Sequence, residues 1–384
     1  MHNLNDRIYL KFKDLYHKTP LMVRSPGRVN LIGEHTDYNE GFVLPGAIDK
    51  AIIMAIKDRN DHVCRMHAMD MDDHYQASVH DLQKSDKGWP NYILGVVDQL
   101  QKENSEIHGF DCVFGGDIPI GAGLSSSAAL EGATSFALNI LFKLNLEKMQ
   151  LVKLGQNAEN QFVGVQCGIM DQFINIHGQE GRVLKLDCRS LQFDIFPLET
   201  EDYKIVLCDT GVRRELASSE YNVRRRQCET GVKILNKYDS SLKSLRDVSL
   251  YFLDKNSVEL DEVVYKRCRY VIEENLRVLN GCNDLQFCDF TSFGQRMFLS
   301  HIGLRDEYQV SCQELDVLVE IAQEIEGVLG ARMMGAGFGG CTINLVKSER
   351  IAKFIQNIEA AYKKRLKKNI NMYVCNIAPG VSEM

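Results

Sequence analysis

Residues 27–38, GRVNLIGEHTDY, constrain the fold of this chain more than any other stretch of its sequence. They place an arginine, a glutamate, a histidine and an aspartate between apolar runs. The runs at 21–23, 41–44 and 51–56 have the composition of short buried strands. A turn between such strands holds polar groups still and lets them reach a ligand. The pattern therefore predicts a binding loop within a strand-rich domain.

Two interpretations of this loop follow from the residues alone. In the first, it is an ordinary polar loop that an arginine–carboxylate pair holds closed. In the second, Glu34, His35 and Asp37 bind a ligand, because the apolar residues at 29–32 draw these groups inward. A buried carboxylate needs a partner or a ligand rich in hydroxyl groups. We favour the second interpretation, a loop that binds a polyol or a sugar.

Composition narrows the class of protein. The chain has 384 residues, enough for two domains and a substantial core, and a net charge of −7 that argues against a nucleic-acid partner. No apolar run is long enough to predict a membrane span. The twelve cysteines include no CxxC pair, and the N-terminal residues predict an amphipathic helix rather than a signal peptide. We therefore expect a cytoplasmic protein with reduced thiols and no membrane partner.

A second candidate site is the glycine-rich stretch GDIPIGAGLSSSAALEGATSFALNIL, which follows a predicted strand at 110–114. Gly121 and Gly123 allow the backbone to approach a ligand closely. Three serines then precede a helical pattern of apolar residues, and the free N–H groups of a helix N-terminus bind phosphate. The stretch is not a Walker A motif, because no GK[ST] follows the loop. A serine-capped helix is the plainer alternative, but we favour a phosphate-binding loop.

Two carboxylates lie further along the chain. Glu159 falls in a predicted helix at 151–163. Asp171 lies at the junction before residues 173–176, whose pattern predicts a strand. A carboxylate in an apolar setting such as that of Asp171 either caps a helix or acts as a base. The local sequence favours capping.

The second half of the chain is richer in helices, and we place a domain boundary near residue 201. Helices are predicted at 216–238, 261–279, 291–301 and 312–325, followed by a strand at 342–346, a helix at 351–366 and a strand at 371–377. This order fits a small antiparallel sheet backed by helices. Gly335, Gly337 and Gly340 match GxGxxG only formally, because a strand rather than a helix follows them. We expect them to form a tight loop against the active site. The histidine-rich residues 62–80 predict a hairpin rather than a metal site.

Together these glycine-bearing stretches resemble the GHMP kinase superfamily, and GRVNLIGEHTDYN resembles the galactokinase signature within it. Residues 218–229, SSEYNVRRRQCE, are also similar to that family. The resemblance implies an α+β fold of two domains. The first, residues 1–201, would have a mixed sheet with helices, and the second, residues 202–384, would be ferredoxin-like. The implied reaction transfers the γ-phosphoryl group of ATP to the anomeric hydroxyl of α-D-galactose.

The resemblance also implies roles for individual residues. Asp171 would be the catalytic base, which raises it above the capping alternative, with Arg28 beside it. Whether Asp171 removes the proton or only orients the hydroxyl stays open, because phosphoryl transfer demands little of a base. Sugar contacts would come from Glu34, His35, Thr36, Asp37 and Tyr221. The nucleotide phosphates would be wrapped by Gly121, Ala122, Gly123, Leu124, Ser125, Ser126 and Ser127. Magnesium would be held by Ser127 and Glu159.

Two alternatives to a galactose kinase remain at this stage. Related kinases act on N-acetylgalactosamine, arabinose or galacturonate, and related proteins sense sugars with little kinase activity. The intact EHTD motif and Tyr221 favour galactose, and the intact phosphate loop and Asp171 argue against a pure sensor. A monomer is the expected oligomeric state, since no interface-like stripe stands out in the sequence.

Overall fold

The computed structural model describes residues 3–103, 106–119, 121–198, 201–212 and 217–384. Its helices are α1 (Leu4–Tyr16), α2 (Pro90–Lys102), α3 (Ser126–Leu141), α4 (Lys148–Asn157), α5 (Met170–His177), α6 (Ala217–Leu235), α7 (Leu250–Lys255), α8 (Glu262–Gln286), α9 (Phe290–Ile302), α10 (Gln313–Glu324) and α11 (Ile351–Leu366). Its strands are β1 (Leu21–Asn30), β2 (Phe42–Val43), β3 (Pro45–Asp58), β4 (Val63–Ala68), β5 (Asp73–Ser78), β6 (Phe110–Gly116), β7 (Arg182–Asp187), β8 (Phe193–Pro197), β9 (Tyr203–Asp209), β10 (Val328–Met333), β11 (Cys341–Lys347), β12 (Asn371–Cys375) and β13 (Ser382–Glu383).

The first half of the chain builds a mixed sheet, as predicted. Six strands lie in the order β13-β1-β3-β6-β4-β5, and only the β4–β6 pair is parallel. The histidine-rich residues form the β4–β5 hairpin, which was the predicted structure. A smaller antiparallel sheet, β2-β7-β8, continues this half. The side chains of Val29, Leu31 and Ile32 are completely or almost completely buried, so they fix the end of β1 and the loop that follows it.

The second half contains an antiparallel sheet in the order β10-β11-β9-β12. Numbered within this sheet from β9, the order is 2-3-1-4, which is the ferredoxin-like arrangement that the family resemblance implied. The helices α10 and α11 pack against each other and cover this sheet through Leu318, Phe354 and Ile358. The division at residue 201 stays a prediction, and the last strand, β13, returns to pair with β1 in the first sheet.

Two local predictions were wrong. Residues 173–176 belong to helix α5 rather than to a strand, because Phe173, Ile174 and Ile176 form one buried helical face against the small β2-β7-β8 sheet. Strand β1 continues through Asn30, so Arg28 projects from a strand rather than from a turn. Within the described residues, no helix is both long and apolar enough to span a membrane.

Candidate active site

A cavity of about 360 Å³ lies where the loop after β1 meets helix α5, helix α6 and the loop between β10 and β11. It is lined by Arg28, Glu34, His35, Asp37, Glu159, Gly164, Val165, Gln166, Cys167, Gly168, Met170, Asp171, Tyr221, Asn222, Gly335 and Ala336. The cavity therefore brings together groups that are far apart in the sequence, and most of the predicted sugar-binding residues are among them.

Arg28 and Asp171 form a bidentate ion pair at the edge of this cavity. The Arg28 Nε atom donates to Asp171 Oδ1 at 2.8 Å, and Nη2 donates to Oδ2 at 2.9 Å. Arg28 is 6% exposed, whereas the Asp171 side chain keeps 28% of its surface accessible. Burial alone would lower the pKa of Arg28, but the charges of Asp171 and Glu34 outweigh that effect and raise it. Asp171 lies in the first turn of α5, one residue past Met170, and the N-cap position belongs to Ile169.

The glycine-rich loop lies directly against this ion pair. The Ser125 hydroxyl donates to Asp171 Oδ2, and Arg28 donates from its side chain to the Gly123 carbonyl and from its backbone N–H to the Leu124 carbonyl. Ser125 has a φ of 57° and occupies the N-cap position of α3. The predicted phosphate loop and the predicted base are therefore joined by hydrogen bonds.

The glycines of this loop hold a conformation that other residues adopt only with strain. Gly121 and Gly123 have φ values of 72° and 77°. Ala122 and Leu124 anchor the loop in the core, since both side chains are buried. Ser126 and Ser127 begin α3, so their backbone lies at the helix N-terminus, where N–H groups are free to bind anions.

A second, apolar cavity of about 180 Å³ is lined in part by Ser126 and Ser127. Its walls include Trp89, Tyr92 and Phe114, which come from α2 and β6 and their borders. The start of α3 therefore borders the apolar cavity, whereas Arg28 and Asp171, which are bonded to the glycine-rich loop, line the first cavity.

Glu34 is held rigidly by groups from the second half of the chain. Its Oε1 atom accepts hydrogen bonds from Arg332 Nη2 and from the Gly335 N–H, each at 2.8 Å. Arg332 is completely buried and also donates to the carbonyl oxygens of Asn30 and Leu31, at 2.7 and 2.6 Å. The loop at 335–340 thus presses against the site, as the sequence predicted.

His35 is buried and neutral. Burial is the main cause that lowers its pKa, to about 3. Its Nδ1 atom is 2.7 Å from the Tyr38 hydroxyl, and its Nε2 atom is 3.3 Å from the Ala336 carbonyl oxygen. Thr36 does not line the cavity: it is fully buried, and its hydroxyl lies 2.8 Å from the Gly33 carbonyl oxygen and 2.6 Å from that of Phe42.

Asp37 and Tyr221 face the cavity from opposite elements. Burial, followed by the charge of Asp171, raises the pKa of Asp37 to about 7. Burial also raises the pKa of Tyr221, which keeps its phenol protonated. A Cβ atom at Gly168 would lie only 1.6 Å from Asp37 Oδ2, so the position of Asp37 requires a glycine there.

Glu159 lies on a π-helical turn, Ala158–Val163, that extends α4. Its Oε2 atom accepts a hydrogen bond from Gln172 Nε2 at 2.8 Å, and it also pairs with the Ser127 hydroxyl. Burial, and then the charge of Asp171, raises the pKa of Glu159 to about 7. The two predicted metal ligands therefore meet in the structure, at the border between the two cavities.

The sequence did not single out several residues on which this site depends. Arg332 is separated from Glu34 by 298 positions, so no local pattern could pair them. Gly168 lies three residues before Asp171, and this position was a local sign of its importance. Its close approach to Asp37 joins distant parts of the sequence, so a local pattern could not predict it. Gln172, next to Asp171, links Glu159 to a second buried carboxylate, Glu131, at 3.0 Å.

Models of three protein families match this chain. The GHMP kinases N-terminal domain matches residues 91–179, the galactokinase galactose-binding signature matches residues 10–58, and the GHMP kinases C-terminal family matches residues 286–364. The second of these contains Arg28 and the EHTD motif, and the first contains the glycine-rich loop, Glu159 and Asp171.

Similar proteins and structures cover nearly the whole chain. The galactokinase of Roseiflexus sp. (strain RS-1) is 43% identical over 375 residues, which are 97% of this chain and 96% of that protein. The galactokinase of Clostridium acetobutylicum is 42% identical, and 97% of each chain is covered. The crystal structure of Lactococcus lactis galactokinase complexed with galactose superposes with a TM-score of 0.95, at 35% identity over 100% of both chains. A Methanococcus jannaschii mevalonate kinase, at 21% identity and a TM-score of 0.63 over 94% of this chain and 98% of that one, shares the fold.

Proposed function

The chain belongs to the galactokinase family, and from that premise we propose how its residues transfer the γ-phosphoryl group of ATP to the anomeric hydroxyl of α-D-galactose. The protein is an ATP-dependent sugar kinase, and the products are galactose 1-phosphate and ADP. One observation carries the residue assignment. The Arg28–Asp171 ion pair lies between the sugar-side cavity and the glycine-rich loop, where a sugar hydroxyl and a terminal phosphate would meet.

In this proposal Asp171 accepts a hydrogen bond from the anomeric hydroxyl of the sugar. That bond orients the hydroxyl oxygen toward the γ-phosphorus atom of ATP. The bidentate pair with Arg28 fixes the carboxylate in one orientation, and positioning of this kind supplies much of the acceleration in phosphoryl transfer. Arg28 also carries positive charge toward the transferred group, whose oxygens are negative throughout the reaction. Ser125, which donates to Asp171, links the orientation of the base to the position of the phosphate loop.

The sugar side of the cavity is built to recognise hydroxyl groups. Glu34, Asp37 and the Tyr221 phenol supply acceptors and a donor on separate walls. Glu34 already uses Oε1 for Arg332 and Gly335, so the geometry leaves Oε2 for a ligand. A site of this kind discriminates strongly, because a sugar that lacks a hydroxyl leaves a buried group unpaired.

We propose that magnesium enters with ATP and is held by Ser127 and Glu159. Hydroxyl and carboxylate oxygens are hard donors that suit this ion. The contacts of Glu159 with Gln172, Cys167 and Ser127 bring no positive charge to its carboxylate, and a cation would supply it. Bound magnesium would neutralise negative charge on the phosphates during transfer.

We assign the nucleoside of ATP to the apolar cavity. The adenine ring would pack among Trp89, Tyr92 and Phe114. The phosphates would then extend past the N-terminus of α3 toward Asp171. Aromatic and apolar walls beside a phosphate loop suit a ligand with a flat base and a charged tail.

The test is an assay of ADP release with magnesium and ATP. Galactose is compared with glucose, N-acetylgalactosamine, arabinose, galacturonate and mevalonate. We expect turnover with galactose well above that with every other substrate. Folded protein that galactose stabilises against heat, but that turns over no sugar, would instead identify a sugar sensor. Faster turnover of another sugar would move the assignment to that substrate.

We also propose that the enzyme acts as a cytoplasmic monomer. All twelve cysteines lie in described segments and none forms a disulfide, which suits a reducing compartment. Light scattering coupled to size exclusion tests the oligomeric state. The mass of a single chain is expected, and the mass of a dimer would contradict the proposal.

A further inference from the structure

Residues 308–310, which we call the bridging segment, connect elements on the sugar side of the cavity. The carbonyl oxygens of Tyr308 and Gln309 accept hydrogen bonds from Arg224 of α6, at 2.9 and 2.8 Å. The Val310 carbonyl accepts one from the N–H of Phe338, at 2.6 Å, in the loop between β10 and β11. No sequence motif marked this segment, yet it is bonded to the helix that carries Tyr221 and to the loop that holds Glu34.

The side chain of Tyr308 adds a third connection, to the loop that carries the EHTD motif. Its hydroxyl is 2.7 Å from the Tyr38 hydroxyl, which is 2.7 Å from His35 Nδ1. On its other side, the Tyr308 hydroxyl is 3.2 Å from Cys228 Sγ of α6. His35 Nε2 faces the Ala336 carbonyl at 3.3 Å. These groups form one continuous series of hydrogen bonds from α6 to the cavity wall.

The groups at the two ends of this series of hydrogen bonds, the Ala336 carbonyl and the Cys228 thiol, determine which group donates in each bond. A carbonyl oxygen can only accept, so the proton of the neutral His35 ring lies on Nε2. Nδ1 must then accept from Tyr38, whose oxygen accepts from Tyr308 in turn. The Cys228 thiol is left to donate to Tyr308. Each hydroxyl in this series both donates and accepts.

Packing joins the same residues to the sugar-binding side chains. The His35 ring centroid lies 4.8 Å from that of Tyr308 and 5.4 Å from that of Tyr221. The Tyr38 and Tyr221 rings meet edge to face at 5.0 Å. Tyr308 is itself fully buried, so its position is set by the core rather than by a ligand.

We propose that Tyr308 is a positioning residue for sugar binding, which acts through Tyr38 to fix the orientation and the Nε2–H tautomer of His35. The inference rests on the proposed sugar site. Its expected effect is on galactose rather than on ATP, because the series of hydrogen bonds ends at the sugar-side wall and not at the phosphate loop.

Kinetics of Tyr308→Phe test this proposal, with Tyr362→Phe as the matched control. Tyr362 is also fully buried, on the core-facing side of α11, but its hydroxyl has no hydrogen-bond partner among the residues that the structure describes. We expect Tyr308→Phe to raise the KM for galactose about fivefold, the loss of roughly one hydrogen bond. The KM for ATP should stay within about twofold of wild type. Tyr362→Phe should change neither constant.

An unchanged KM for galactose in Tyr308→Phe, or an equal rise in the KM for ATP, would overturn the proposal. Tyr38→Phe interrupts the same series of hydrogen bonds on the other side of the Tyr308 hydroxyl. It replaces Tyr308→Phe in the test if Tyr308→Phe does not fold. Failure of the wild-type protein to phosphorylate galactose would count against the proposed function instead.

Nitrogen-15 NMR of the histidine side chains tests the tautomer without any substrate. The signals of His35 are identified by their loss in His35→Gln. The wild-type protein should show a neutral ring protonated at Nε2, and Tyr38→Phe should give a mixture of tautomers. A wild-type ring protonated at Nδ1 would refute the direction of these hydrogen bonds.

Discussion

Asp171 accepts two hydrogen bonds from Arg28, and the side-chain amide of an asparagine could accept only one of them. In Asp171→Asn, one oxygen remains for Arg28 while the charge that attracts the sugar hydroxyl proton is lost. We expect kcat to fall about 10²- to 10⁴-fold, the range of a lost acid–base group. Galactose binding to this variant should stay measurable as a rise in the melting temperature when galactose is added. Asp306→Asn, on the surface, is the control, and near-wild-type turnover of Asp171→Asn would refute the assignment of the base.

Asp37 should make galactose binding depend on pH. Burial raises the pKa of this carboxyl to about 7 in the free protein. Sugar hydroxyls donate to the ionised form, so binding lowers that pKa and releases a proton. The affinity for galactose should therefore rise with pH between about 6 and 8. Calorimetry without nucleotide or metal measures this change, and Asp37→Asn should remove it. A pH-independent affinity in the wild-type protein, or the same slope in both proteins, would contradict the prediction.

Individual site residues were predictable where one local pattern carried their chemistry. The EHTD motif, the glycine-rich loop and Asp171 each stand out within a few positions of the sequence. The structure brings most of the EHTD motif and Asp171 to one cavity, and Ser125 of the glycine-rich loop is hydrogen-bonded to Asp171. Thr36 shows the limit of such patterns. Its hydroxyl is taken up by the backbone of its own loop, a contact that depends on the three-dimensional turn and not on the residue type.

Helices and strands were predicted correctly where the periodic pattern covered many residues. The prediction was wrong where the pattern covered only a few. The sequence FINI at 173–176 has the apolar composition of a short strand, but four residues cannot separate a period of 2 from a period of 3.6. The decision came from packing against the β2-β7-β8 sheet, which the local sequence does not encode. The π-helical turn that carries Glu159 has no sequence signature either, although the helix around it was predicted.

The loop between β10 and β11 gives a prediction at this scale. Gly337 has a φ of 84°, and a Cβ there would lie 2.2 Å from the Val310 carbonyl oxygen. Gly88 has a φ of 78°, and no atom of the described residues would lie within 4 Å of a Cβ there, so Gly88→Ala measures the backbone strain alone. We expect Gly88→Ala to cost roughly 1–2 kcal/mol of unfolding free energy. Gly337→Ala should cost about 1–3 kcal/mol more from the clash.

Chemical unfolding measures both glycine variants. Gly337→Ala should also raise the KM for galactose, because the same loop holds Glu34 and faces His35. Equal costs for the two variants would mean that the loop moves freely away from residues 308–310. In that case the positive φ of Gly337, and not its contact with Val310, would explain the glycine at this position.

At the scale of the whole molecule, the two halves of the chain are joined by buried polar contacts. Strand β13 pairs with β1, and Arg332 of β10 reaches into the first half to bind Asn30, Leu31 and Glu34. The sequence indicated two domains and their separate sheets, but not this connection. The active site therefore depends on how the halves meet, which is a property of the complete chain.

The Arg332–Glu34 pair should stabilise this arrangement far more than a surface pair does. Arg332→Met leaves the buried Glu34 carboxylate without its cation, which costs roughly 3–5 kcal/mol. Arg305→Met is the control, because its partner Asp306 is exposed and such pairs are worth about 0–1 kcal/mol. Adding Glu34→Gln to Arg332→Met removes the unpaired charge, so the double variant should lose less stability than the sum of its single changes. Chemical unfolding of all four variants measures that coupling. If Arg332→Met cost no more than Arg305→Met, contacts other than this pair would hold the halves together.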